Sequence, residues 1–161
     1  YESKLKEELL KFPTSTYAGW ALARTTNGVD FIYHNGKDLI DDMLRPAKER
    51  IGRKGSFGKD KNGKEIWVTP EEEAERYIGY AEKYISENSN SYLSGFIYYD
   101  LSVAYLALHL WEMAYKYMEE SLKREWPEVL YGGDIKTMKK HIRVLREGKE
   151  ELVKRGFVKG K

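Results

Sequence analysis

From Tyr92 to Trp111 the chain is apolar nearly all round a helix, with Phe96, Ile97, Tyr98, Leu101, Val103, Tyr105 and Leu106 pointing in several directions. A helix of that kind has to be covered on several sides, so the rest of the protein must wrap around it. Ser94, Gly95, Asp100, Ser102 and His109 interrupt the run, which therefore lacks the unbroken apolarity of a membrane span. It reads as a buried helix of a soluble domain over about residues 91–108, and no membrane partner is expected.

The covering elements announce themselves on both sides. Thr69-Pro70-Glu71-Glu72 combines a capping hydroxyl, a proline suited to the first helical position and acids at the positive helix end. The stripe Ala74, Tyr77, Ile78, Ala81, Tyr84 and Ile85 follows at three-four spacing until Asn88-Ser89-Asn90. On the other side, His109 and Leu110 form a short link to a helix through Leu122 carrying Trp111, Ala114, Tyr115 and Met118, with Pro127 beyond it. Gly132-Gly133 breaks the chain, and Asp134 is placed to cap a last helix with Ile135, Met138, Ile142, Leu145 and Leu152, which gives way to a basic tail after Gly156.

The N-terminal third is less regular. Residues 2–11 have helical composition up to Pro13, while residues 17–34 read either as a helical stripe or as a β-hairpin closed at Asn27-Gly28. Asn35-Gly36 breaks the chain again, and a helix is predicted from Asp38 to Ile51 with Leu39, Ile40, Met43, Leu44 and Ala47 on its apolar side and Pro46 as a kink. Residues 52–63 hold four glycines among lysines and arginines, with Phe57 as the apolar exception. That stretch is a basic loop or a hairpin closed at Asn62-Gly63 before Ile66, Trp67 and Val68.

Residues 98–127 resemble the tetratricopeptide repeat, a pair of antiparallel helices that stack into solenoids. Tyr98 stands at the large aromatic of the repeat, Leu101 at its leucine, Ser102 at its small residue and Tyr105 at its tyrosine. Trp111, Ala114, Met118 and Ser121 fill the matching places in the second helix, while His109 replaces the usual turn glycine and Pro127 falls one position late. Ala74, Ile78 and Ala81 repeat the second helix's spacing one unit earlier, so the resemblance extends over about residues 70–127. The interval from Ala74 to Ala114 is 40 residues, against the usual ~34. The resemblance implies peptide or protein binding on a surface lined by the first helices of the hairpins, and no reaction. Since three such units are normally needed for stability, it also implies that the N-terminal segment caps the stack or that the chain self-associates.

The fold expected is therefore mainly α, built of antiparallel helical hairpins, with a small β-hairpin possible in the N-terminal third. At 161 residues and 41 % hydrophobic content, one domain over 1–161 is the default, divided into an irregular segment 1–68 and a helical region 69–156. Cysteine is absent, which removes disulfides, thiolate metal sites and cysteine nucleophiles. Glutamine is absent as well and 34 % of residues are charged, a thermophile-like composition. No basic start followed by an apolar signal region is present, and a cytoplasmic location is the default.

Four residues are candidates for partner binding: Tyr98, Asp100, Tyr105 and His109. Asp100 is a carboxylate on an apolar helix, which needs a hydroxyl, a cation or water inside the fold, or else a ligand in a groove. Ten of the thirteen tyrosines lie between 77 and 131; they are either core or a stacking surface for peptides or bases. His34, His109 and His141 have no histidine or cysteine partner at helical spacing, and no metal or other cofactor is expected. Asp41, Asp42 and the Glu71–Glu73 run suit helix dipoles better than a catalytic dyad. With no nucleophile-elbow or phosphate-cradling motif either, the expected protein is not an enzyme.

Charge supplies the competing reading. The net charge of +2 conceals segments of −2 over 1–44, +6 over 45–64, −9 over 65–135 and +7 over 136–161. Either the basic blocks fold onto the acidic helices, or they face an anionic partner. A nucleic-acid binder would use Arg45, Lys48, Arg50, Arg53, Lys54, Lys59, Lys61 and Lys64 around Phe57, together with the basic segment 136–161.

Overall fold

A computed structural model describes residues 34–46, 56–59, 62–68, 70–87, 94–126 and 135–159. Among these are five helices, α1 (Gly36–Met43), α2 (Pro70–Glu87), α3 (Ser94–Ala107), α4 (Trp111–Leu122) and α5 (Ile135–Lys154), and two strands, β1 (Ser56–Lys59) and β2 (Glu65–Val68). The expected helix at 2–11, the alternatives over 17–34, the cap at Thr69, and the turn signals at Asn88–Asn90, Pro127, Gly132-Gly133 and Asp134 lie outside the described residues.

The all-round apolarity of α3 is satisfied by neighbours on several sides: α2 and α4 pack along it and α1 touches it, while α5 packs on α4 and on α1. The core is correspondingly centred on α3, where Ile97, Tyr99, Leu101 and Leu106 have no exposed surface. α3 and α4 run in opposite directions, because Gly95 at the start of α3 lies against Arg124, Glu125 and Trp126 just past the end of α4. Ser102, Ala114 and Ser121, whose small side chains permit close approach of helices, are all fully buried. Ser121 Oγ donates to the Gly95 carbonyl at 2.7 Å, and a Cβ on Gly95 would stand 2.8 Å from the Glu125 carbonyl oxygen. Gly95 is thus the second half of the contact that Ser121 begins.

α3 ends in a left-handed residue. His109 has φ 58°, its N–H bonds the Leu106 carbonyl, and the N–H of Leu110 bonds the Tyr105 carbonyl, the paired arrangement that usually selects glycine. Gly156 performs the same stop after α5, at φ 77°, with Gly156 N–H on Val153 and Phe157 N–H on Leu152. His109 holds the strained position because its ring is used: Nε2 donates to the Met43 carbonyl at the end of α1, and the ring stacks on Trp111, which stacks on Phe157. Replacing His109 with glycine relieves about 1 kcal/mol of backbone strain but loses a hydrogen bond of about 1 kcal/mol and a ring contact of about 1 kcal/mol. His109→Gly is therefore expected to lower the melting temperature by a few degrees; a rise on thermal denaturation would show that the ring contributes less than the strain it imposes.

Two expectations are corrected and one alternative is resolved. Within the described residues the helix predicted over 38–51 runs from Gly36 to Met43, since Arg45 precedes Pro46 and is driven out of helical geometry; residues 47–51 lie outside them. It starts earlier because Asn35 is a cap, its side chain accepting from Asp38 N–H at 2.9 Å. Leu44, expected on the apolar side, is 40 % exposed. On α5 the buried face is His141, Val144, Leu145, Gly148 and Leu152, so Ile135 and Ile142 sit at its margin and a histidine occupies a core position. The glycine- and lysine-rich stretch is a hairpin where described: Phe57 pairs with Trp67 and Gly58 with Ile66 in antiparallel register, turning near Gly63 at φ 80°.

Candidate functional site

Residues seven apart on a helix share a face, and Tyr98 and Tyr105 of α3 do so beside α4. Tyr117 of α4 inserts between them, its ring 5.5 Å from each and nearly parallel to both. Arg124, seven residues after Tyr117 and just past the end of α4, lays its guanidinium over Tyr98 at 4.3 Å and bonds the Glu120 carboxylate at 2.7 Å. That bond holds Glu120 below its ordinary carboxylate range. The result is a column of three rings closed at one end by a cation, the geometry in which a guanidinium meets the negative face of an aromatic ring.

Glu82 of α2 meets the hydroxyl edge of this column. Its Oε2 accepts from Tyr105 Oη at 2.9 Å and from Tyr117 Oη at 2.6 Å. Burial, followed by the bond to Glu82 and its charge, pushes Tyr105 up to about 12, and the same causes in the same order push Tyr117 up further. Both phenols therefore stay protonated donors at neutral pH. They fix a half-buried carboxylate from the flank of α2 at the junction of three helices, with one of its oxygens fully committed.

The sequence-predicted residues separate into three places. Tyr98 and Tyr105 are in the column, each 8 % exposed. Asp100 is on the far side of α3 with no exposed surface, where its neighbour Tyr99 stacks on buried His141 and meets Trp126 edge-on. His109 is at the turn described above. Asp41 carries an ion pair to Arg155 at 2.7 Å, and Asp42 is buried. Residues missed from sequence are Glu82, Tyr117 and Arg124. The available signal was Glu82 itself, a carboxylate in the Ile78–Glu82–Ile85 register on the edge of the α2 stripe.

Of the basic candidates, Arg45 and Lys64 are exposed, the backbone of Lys59 is in β1, and Lys48, Arg50, Arg53, Lys54 and Lys61 lie outside the described residues. A cleft of about 330 Å³ at the α1–α5 junction is lined by Asn35, Lys37, Glu147, Glu150, Glu151 and Lys154; the Gly36 N–H donates to Glu147 there at 3.1 Å. Among the described residues no three histidines, cysteines or acids are grouped to hold a metal, and no helix is long and apolar enough to cross a membrane.

Compared with family models, with curated proteins and with solved structures, the chain has no match.

Proposed function

We propose that the protein is a non-enzymatic interaction module that takes a lysine- or arginine-bearing segment of a protein partner along the edge of the tyrosine column, with Glu82 reading the cation. The observation that carries this is the fixed carboxylate: Glu82 is held by two phenols from different helices, half-exposed and in no ion pair among the described residues. A carboxylate already immobilised loses little freedom on meeting a cation, which is where preorganised sites gain affinity. Two further facts fit. The segment 65–135 carries fourteen acids against five bases, so a cationic segment is drawn to it. Arg124 over Tyr98 is the contact that an arginine of a partner would make, supplied within the chain. A tetratricopeptide-like reading of α3 with α4 agrees, since such hairpins present their first helices to peptides.

The test is titration with fluorescent peptides of one length, rich either in lysine and arginine or in glutamate, against the protein and its Glu82→Gln variant. Glutamine keeps an acceptor for the phenols and removes the charge. The cationic peptide is expected to bind the unaltered chain and to lose about tenfold in affinity in the variant, a loss of about 1.4 kcal/mol for a charge-assisted contact. Equal affinity of both proteins for the cationic peptide, with both folded by circular dichroism, would sink the proposal.

A further inference from the structure

The first three turns of α5 break two local rules at once. The first turn holds no acid, and Lys136, Lys139, Lys140, Arg143 and Arg146 succeed one another before the first carboxylate, Glu147. Cations at the positive end of a helix, and like charges three and four residues apart, both disfavour the helix that carries them. Places where a stable element contradicts its own local preferences are where function is to be sought.

These cations share the outer face. Lys136, Lys139, Arg143 and Arg146 are exposed and Lys140 is half-buried, while His141, Val144, Leu145, Gly148 and Leu152 turn inward against α4 and α1. None of the five pairs with a carboxylate among the described residues; Arg143 donates to the His34 carbonyl at 2.9 Å. The second half of the same helix and the residue just past its end behave differently, with Lys149 paired to Glu119 and Arg155 to Asp41 and Glu151. Among the described residues, acids neutralise Lys149 and Arg155 and leave the near end of α5 charged. At a rise of 1.5 Å per residue the five cations form a straight row about 15 Å long.

We infer that this face of α5 binds the phosphate backbone of a nucleic acid, on a surface separate from the tyrosine column. A row of closely spaced cations on a rigid rod complements a linear polyanion, and duplex DNA is the densest available, with one charge per about 1.7 Å of axis. A membrane surface is the weaker match, because helices that lie on bilayers sink their apolar face into it, and the apolar face of α5 is spent in the core. The row reads charge and no base edge, so binding is independent of sequence.

The experiment is fluorescence anisotropy of a labelled 20-base-pair duplex with the full chain at 50 and 200 mM NaCl. Five neutralised phosphates give a logarithmic salt slope of about −4.5, so the affinity is expected to fall roughly 500-fold between the two salts. In Lys136→Gln/Lys139→Gln/Arg146→Gln, which spares Arg143 and its bond, the fall shrinks to roughly tenfold, with helix content and melting temperature retained. The inference is overturned if the chain does not bind the duplex at 50 mM, if the salt slope is the same in the variant, or if the chain binds phosphatidylserine vesicles and not DNA.

Discussion

Gly36→Ala is expected to remove about 3 kcal/mol or more of stability, the level reached when a packed contact is overfilled and an element is pried from the core. The first turn of α1 crosses α5 at this residue, and a Cβ built on Gly36 would fall on the backbone of Glu147 and Gly148. Neither side can yield: one is the interior of a twenty-residue helix, and the other is fixed by the Asn35 cap and the Gly36 N–H bond to Glu147. Relief therefore requires α1 to lift, which exposes Leu39, Ile40 and Met43, each now at most 2 % exposed. The matching change on the other helix is the control. A Cβ on Gly148 would stand 3.3 Å from Leu39 Cδ2 and 3.6 Å from Met118 Cε, both ends of flexible side chains, and alanine gains about 1 kcal/mol of helix propensity over glycine. Gly148→Ala is expected to leave stability within about 1 kcal/mol of the original. Urea denaturation of the two variants decides the matter; equal midpoints would mean that α1 does not dock through Gly36.

What the sequence made legible follows from which signals are local. The Thr-Pro-Glu-Glu start placed α2, and the all-round apolarity of residues 91–108 placed α3 at the centre of the core. Ser121, at a small-residue place of the repeat, marked where α4 comes close to α3. Each is a statement about one helix and its nearest neighbour. Gly36 reads as a breaker because glycine after asparagine ends elements more often than it begins them, and nothing local reveals that another helix crosses there. His141 is on the buried stripe of α5, yet its sequence suggests only a metal ligand, since a histidine in a core position is apparent only from what surrounds it. The column was half visible for the same reason: Tyr98 and Tyr105 are related by the period of one helix, whereas Tyr117 and Glu82 join them from two others. Asp100 was legible as an anomaly and its burial as an expectation; its depth in the core places it away from any docking edge.

Glu82→Leu should destabilise the protein by about 2–4 kcal/mol at neutral pH, because it strips the acceptor from two phenols at once and each buried donor left wanting costs about 1–3 kcal/mol. The larger figure applies to Tyr105, which is 8 % exposed; Tyr117 is more open and can turn to water. Tyr105→Phe and Tyr117→Phe, which remove the donors instead, are expected to cost less than the loss of their shared acceptor. The pH dependence tests the same geometry. Tyr105 and Tyr117 have folded-state values raised above the ordinary tyrosine value of 10.0, so their contribution is complete below pH 10 and is lost as the pH climbs towards about 12, where Tyr105 titrates in the folded chain. Leucine at 82 removes the hydrogen-bonding and charge contributions to that rise and leaves burial, so the folded values drop towards the unfolded one. The difference in stability between the two proteins is therefore expected to be greatest below pH 10 and to shrink between 10 and 12, followed by urea midpoints at each pH and by tyrosinate absorbance. A difference that stays constant across that range would mean that the phenols do not donate to Glu82, and the fixed carboxylate on which partner binding rests would go with them.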